Sequence, residues 1–337
     1  MIPVGIDVGS RELVVAARVK DKLRRKSFAN TQAGHRQLLS WLAAGPKRVA
    51  VEATGFYSLD VCLALDEAAH IEVMVANPRS VASFSKALMR RGKTDAIDAQ
   101  VLVEYAERMP FTPWVRPSSG SLELRGVTRR IRGLIKTRTA EKNRLKSAAA
   151  TRETPAIVLD DIRGTIEHLK ARIDRLAAHA YELICTDAEL KRRYDLLVTI
   201  PGIARASAVR IVAEIAALPA DMTIRQWVAH AGLDPRPWSS GTSVEKQTRV
   251  TKAGNKHLRH ALFMPALVAI QREPAVKAYY DHLVERGKRP LQATVAVMRK
   301  LLHAIYGMLK ADAAWDPSRF YPAFQSQSED LTGGKMA

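Results

Sequence analysis

At 337 residues the chain is long enough for two or three domains and a sizeable core. Its 47% hydrophobic and 26% charged content excludes a disordered polymer, and no stretch reaches the roughly 18 consecutive apolar residues of a membrane span. The formal net charge of +19, from 53 Lys and Arg against 34 Asp and Glu, points to polyanions: nucleic acid first, an anionic membrane surface second. The stretch from Met1 to Asp7 has no basic leader before an apolar run, so a cytoplasmic, nucleoid-associated protein is expected. Cys62 and Cys185 lie far apart in helical patterns and read as small buried hydrophobes.

Residues 2–8 and 12–19, apolar and rich in Val and Ile, predict two strands separated by Gly9-Ser10-Arg11, and residues 23–29 a third that completes an antiparallel meander. Helical spacing over 34–42, a short buried strand at 48–52 and a helix over 57–69 follow. Residues 71–76 predict a strand ended by Asn77-Pro78, then a helix through Met89 and another to about Arg108. The order β-β-β-α-β-α-β-α describes a mixed sheet flanked by helices. Pro110, Pro113 and Pro117 with Ser118-Ser119-Gly120 mark a domain edge.

From Leu122 to about Ile184 the pattern is nearly all helical. Residues 122–152 carry ten Lys or Arg against Glu123 and Glu141, and Pro155 separates this basic helix from the next. There Leu159, Ile162, Ile166, Leu169, Ile173, Leu176, Ala180 and Leu183 form a heptad seam, expected to make a coiled coil between subunits, with a hairpin inside one chain as the alternative. Ile200-Pro201-Gly202-Ile203-Ala204 between two helical patterns resembles a helix-hairpin-helix turn, whose amides contact DNA phosphates; a plain turn is the alternative. A helix over 223–233 ends at Gly232, and Asp234 to Ser243 reads as an irregular loop. Lys246 to His260 holds five Lys or Arg and no acid, long helices continue to about Leu309, and the tail from Gln325 reads as disordered.

Two carboxylates stand out within this frame. Asp95 and Asp98 are three apart, hence on one helix face, and so close a pair repels unless a cation or shared proton lies between them. A solvated helix start, where the macrodipole favours Asp, is the plain alternative. Asp7 and Glu52 end the first and fourth strands, and both can emerge at one end of a sheet in which those strands are neighbours. Four converging carboxylates require cations, and an all-oxygen site suits Mg²⁺ or Mn²⁺. On a polycationic protein the natural substrate is a phosphodiester, which a pair of such metals can activate.

Gly5-Ile6-Asp7-Val8, Val51-Glu52-Ala53-Thr54-Gly55, Asn77-Pro78 and Lys93-Thr94-Asp95-Ala96-Ile97-Asp98-Ala99, in that order, resemble the DEDD insertion-sequence transposases, relatives of the Piv DNA invertase. Pro201-Gly202-Ile203, Ala231-Gly232-Leu233-Asp234-Pro235, Ser240-Gly241 and Thr251-Lys252-Ala253-Gly254-Asn255-Lys256-His257-Leu258-Arg259 are similar to that family's C-terminal domain, so the resemblance spans about residues 4–310. It implies an α/β RNase H/RuvC-like domain with Asp7, Glu52, Asp95 and Asp98 as Mg²⁺ ligands, followed by a long helical coiled-coil segment and a mostly α C-terminal domain. The expected boundaries are 1–112, 113–190 and 191–320, with a flexible tail at 321–337. It further implies a serine nucleophile, by position Ser240 with Ser239 and Ser243 close by, that forms a phosphoserine link to DNA. Guidance by a structured bridge RNA and action as a dimer or tetramer belong to the same implication. Lys93, Arg125, Arg129, Arg130, Arg132, Lys136 and Arg138 are expected at nucleic acid, as are Lys246, Arg249, Lys252, Lys256 and Arg259 of the second basic segment.

Two other classes compete. Gly5-Ile6-Asp7-Val8-Gly9-Ser10 also resembles the first phosphate motif of actin- and hexokinase-type ATPases, but a second Asp-x-Gly loop and an adenosine site are not evident. A basic helical architectural protein that binds DNA or RNA without chemistry is the third reading.

Overall fold

Alternation in β1 (Ile2–Val8) sends Val4, Ile6 and Val8 into one face of a sheet and Gly5 and Asp7 to the other. The computed structural model describes residues 1–53, 55, 57–89, 94–240 and 244–322, with only the backbone for 237–240 and 244–248. Within them the chain divides into two units, Met1–Arg116 and Pro117–Ala337.

In the first unit, β2 (Glu12–Val19) and β3 (Lys22–Ala29) continue the meander from β1, and β4 (Lys47–Glu52) and β5 (Ile71–Ala76) add in parallel on the other side. The order β3-β2-β1-β4-β5 places β1 at the centre. Val4, Ile6, Leu13, Val15, Val49 and Val51 pack with Leu38 of α1 (Gln32–Trp41) and Val61 and Leu65 of α2 (Leu59–Asp66). On the opposite face, Ala50, Met74 and Ala76 meet Val81 of α3 (Pro78–Ala87) and Val101, Leu102 and Tyr105 of α4 (Asp95–Arg108). A mixed sheet between two helical layers is the architecture expected from the element order. Cys62 is buried as expected, whereas Cys185 of the second unit is exposed.

The second unit opens on α5 (Ser119–Ala148) and α6 (Ala156–Thr186), two long helices that pack against each other. Their connection is closed where Thr154 Oγ1 donates to the Ala148 carbonyl (2.7 Å), and Pro155 caps α6. The heptad seam has its partner inside the chain: Ile162, Ile166, Leu169 and Ile173 are all buried, and Leu169, Ile173 and Ala180 share a core with Leu124, Ile131 and Leu134 of α5. The alternative of a hairpin within one chain thus describes this seam, because α5 supplies the apolar face that a second subunit was expected to supply.

That core continues through α7 (Ala188–Val198), α8 (Arg205–Ile215) and α9 (Ile224–Ala231) into α10 (Lys256–Arg272), α11 (Pro274–Glu285) and α12 (Pro290–Ala311), with α13 (Pro317–Phe320) closing over it. The Pro201-Gly202 turn joins α7 to α8. Gly202 has φ +100°, and a Cβ there would lie 2.6 Å from Ala269 N and 2.8 Å from Pro265 O of α10. Packing against α10 therefore accounts for this glycine. Among the described residues no helix is long and apolar enough to cross a membrane. Residues of the expected flexible tail beyond 322 lie outside the described ones.

Candidate metal centre and nucleic-acid surfaces

The first turn of α4 is built to start sharply. Thr94 is extended, and its side chain accepts from Ile97 N (3.3 Å). Asp95 and Asp98 sit in that turn, where the helix N-terminus favours negative charge. The stripe Ala99, Leu102, Val103 and Ala106 then buries itself on the sheet. Its approach to β1 is close: a Cβ on Gly5 would fall 2.5 Å from Val103 N and would overlap the Ala99 carbonyl oxygen. Arg25 donates to Gln100 Oε1 (2.9 Å), and Arg18 pairs with Glu107 (2.8 Å), tying α4 to β3 and β2.

Asp7 lies two residues beyond Gly5 on this same face. Asp7, Asp95 and Asp98 each bring a carboxylate oxygen within 4.8 Å of the others. Ile6 pairs with Val51 across parallel β1 and β4, so Asp7 and Glu52 occupy the next position on adjacent strands. Burial raises the Asp7 carboxyl to about 6, helped by the charges of Asp95, Asp98 and Glu52 and opposed by a backbone hydrogen bond at Val8. Among the described side chains, no Lys or Arg forms an ion pair with Asp7, Asp95 or Asp98. A cluster of like charge, with Asp7 and Asp98 half-buried and Asp95 exposed, all oxygen donors and without a cation among the described side chains, fits a hard divalent ion such as Mg²⁺ or Mn²⁺. The structure thus brings three of the four predicted acids together with Glu52 beside them. Lys93 lies outside the described residues.

In the second unit the stretch read as an irregular loop is a β-hairpin. Strands β6 (Pro235–Ser240) and β7 (Val244–Val250) pair antiparallel, with a register shift between Arg236 and Trp238. Pro235 and Pro237 hid the strand in the sequence, yet each strand of a two-stranded ribbon is an edge, where proline is tolerated. Ser240, opposite Val244, is the last residue of β6 and Ser239 pairs with Glu245; their side chains, and residues 241–243, lie outside the described ones. The base of the hairpin is clamped: Thr251 N donates to the Asp234 carbonyl (3.0 Å) and Thr251 Oγ1 to Asp234 Oδ1 (2.6 Å). Gly232, at φ +64°, ends α9 and turns the chain into β6, and Arg259 Nη1 donates to the Ala231 carbonyl (2.7 Å).

The predicted basic residues divide by what they touch. Arg129 makes a bidentate pair with buried Glu214 (2.9 and 2.8 Å), and Glu214 also accepts from Asn255 Nδ2 (2.6 Å). Burial alone would raise the Glu214 carboxyl, but hydrogen bonds from Arg129 and Asn255 hold it below its ordinary range. Asn255 Oδ1 in turn caps α10, accepting from His257 N and Leu258 N. Arg132 donates to His257 Nδ1 (2.9 Å), a ring that burial and Arg129 push down to about 4 and so keep neutral. Arg129 and Arg259 therefore hold the fold, while Arg130, Lys136, Arg249, Lys252 and Lys256 are exposed, Arg125 and Arg138 are half-buried, and the side chain of Lys246 lies outside the described ones. Sequence reasoning missed Glu214 and Asn255. A lone acid in the apolar run Ile211-Val212-Ala213-Glu214-Ile215 was the available signal, because a buried carboxylate demands a basic partner.

Comparison with known proteins places both halves. Residues 4–151, which include all four acids, match the DEDD transposase family of IS110, and residues 194–281, which include the hairpin and the Asn255 cap, match the family described as Transposase IS116/IS110/IS902. The pilin gene-inverting proteins of Moraxella bovis and Moraxella lacunata are each 29% identical over 321 residues, covering 93% of this chain and 97% of theirs. The transposase for insertion sequence element IS1328 of Yersinia enterocolitica is 23% identical over 296 residues, 80% of this chain and 84% of its own.

Proposed function

Because the chain belongs to the IS110 family of DEDD transposases, we propose that it is the recombinase of a mobile element, cutting and rejoining DNA through a carboxylate metal site and a serine nucleophile. The observation that carries this reading is the convergence of Asp7, Asp95 and Asp98 from β1 and α4 in a cluster with no protein cation among the described side chains. With Glu52 they would hold Mg²⁺ or Mn²⁺, which when bound withdraws charge from a phosphodiester and eases departure of its oxygen.

Ser240 is the proposed nucleophile. Its Oγ attacks phosphorus as the bridging P–O bond to the neighbouring nucleotide breaks, leaving a strand with a terminal hydroxyl and a phosphoserine link on the other. A hydroxyl of the partner strand then reverses the step and frees the serine. Bond energy is conserved in the ester, so no nucleotide cofactor is required. A serine hydroxyl is a weak nucleophile at neutral pH and needs activation by a base or a metal. The hairpin clamp at Asp234 and Thr251 supports the placement of Ser240 at a β-ribbon end, displayed by a fixed base.

A structured RNA guide and a dimeric or tetrameric assembly complete the proposal. The net charge of +19 is compatible with DNA and RNA alike, and base pairing can supply the sequence choice while the protein holds backbones. The test is strand transfer on element ends with RNA from the native host. Ser240→Ala should abolish a denaturant-resistant protein–DNA adduct, and Asp95→Asn should block strand cleavage. A fully active Ser240→Ala protein sinks the serine role, and nicking unaffected by EDTA sinks the metal role.

A further inference from the structure

One face of the second unit gathers positive charge. Thr128 and Arg132 of α5, Arg210 of α8 and His257 and His260 of α10 surround a small notch beside Glu214. Glu214 is fully engaged by Arg129 and Asn255. Among the described side chains, no acid pairs with Arg132, which meets the neutral His257 ring, or with Arg210; both are half-buried, and burial first and the charge of Arg132 second lower the pKa of Arg210. Two cations held together, with no acid paired to either among the described side chains, mark a place for an anion.

Thr128 and Arg210 also line a second hollow, between α5, α6 and α8, so the two share part of their walls. Its volume is about 250 Å³, and its walls are apolar: Ile131, Ala177, Val209 and the ring of Tyr181, with Arg205 at the rim. Tyr181 is 40% exposed, unusual for so large a ring, and stands edge-on to Tyr194 with centroids 5.6 Å apart, which fixes its plane. A cationic notch that shares Arg210 with an apolar hollow holding a fixed, exposed aromatic matches a phosphate followed by a base.

We propose that this face seats one nucleotide of a single-stranded nucleic acid, its phosphate on Arg132 and Arg210 and its base against Tyr181 in the hollow. The class of ligand rests on the nucleic-acid reading above; the site does not depend on the metal or serine chemistry. A paired base is stacked within its duplex and cannot enter such a hollow, so the strand must be unpaired there.

The test uses the full chain in EDTA, which keeps cleavage out of the readout, with fluorescently labelled short single-stranded DNA, single-stranded RNA and duplex DNA. Arg210→Gln should lower the slope of log affinity against log salt by about one on a single strand, as loss of one phosphate contact requires. Tyr181→Ala should weaken single-strand binding about tenfold, Tyr181→Phe should restore it, and duplex binding should not move. Whichever strand shows the loss, DNA or RNA, names the ligand. Arg210→Gln should melt no lower than the parent, since no partner among the described side chains is removed. Unchanged slope and affinity on both strands overturn the proposal, and so does a change of oligomeric state in place of binding, which would make this face a subunit contact. Because binding is read without cleavage, these outcomes stand apart from failure of the recombinase chemistry.

Discussion

The carbonyl of Ala99 in α4 rests directly on Gly5 of β1, with no room for a Cβ between them. This contact sets the height of α4 over the sheet, and thereby the distance from Asp95 and Asp98 to Asp7. Gly5→Ala pushes the helix outward. Overpacking of this kind costs about 1–3 kcal/mol, so the urea midpoint should fall with little change in slope. Titration calorimetry should show Mn²⁺ affinity falling with it. A variant with normal stability and normal metal binding would show that the carboxylate geometry does not depend on this approach.

The acidic site should make stability depend on pH in an unusual direction. The folded chain holds the Asp7 proton up to about pH 6, against an ordinary 3.8, so between those values the native state binds more protons than the unfolded state. Without metal, this group's contribution makes stability fall as pH rises from about 4 to about 6, and remain lower above that. Asp7→Asn should flatten the fall in thermal unfolding followed in EDTA. Metal requires the ionised carboxylate, so Mn²⁺ affinity should rise through the same window and level off above it. Stability rising through this window equally in both proteins would contradict the raised Asp7 carboxyl.

The clamp between Asp234 and Thr251 separates hairpin placement from folding. Both groups are half-buried at the base of the ribbon, and losing their side-chain bond costs about 1 kcal/mol of stability. Thr251→Val should therefore unfold only slightly earlier, yet reduce the rate of covalent adduct formation well beyond that cost, while Thr251→Ser retains it. Equal adduct rates in all three proteins would show that the ribbon's base does not position Ser240.

The seam of α6 gives a fourth expectation. Ile173 is buried against α5 within the chain, so Ile173→Ala should cost about 2–5 kcal/mol of stability and leave the mass in light scattering unchanged. An equally stable but dissociated protein would place the seam between subunits instead.

The first unit was largely legible in the sequence because its signals are local. Period-two apolar runs in β1 and β2 and the Asn77-Pro78 stop each determine their own element, and the observed strand and helix bounds fall within a few residues of the expected ones. The β6–β7 ribbon was hidden because prolines weaken a strand signal that only edge position excuses. The α6 seam was legible as a seam but not in its partner, since a heptad records an apolar face and not what covers it.

Residue type and order alone determined the four acids, the basic surplus and the succession of strands and helices, because charge, periodicity and capping act over a few residues. Tertiary structure alone decided that β1 lies between β2 and β4, that α4 can reach Gly5, and that Asp7 therefore meets Asp95 and Asp98. It also decided which arginines pair with a buried acid. Arg129 and Arg132 are three apart on one basic helix and alike in sequence, but only Arg129 faces buried Glu214, a partner 85 residues away. Such pairings depend on which chain segments pack together, and no local pattern encodes that.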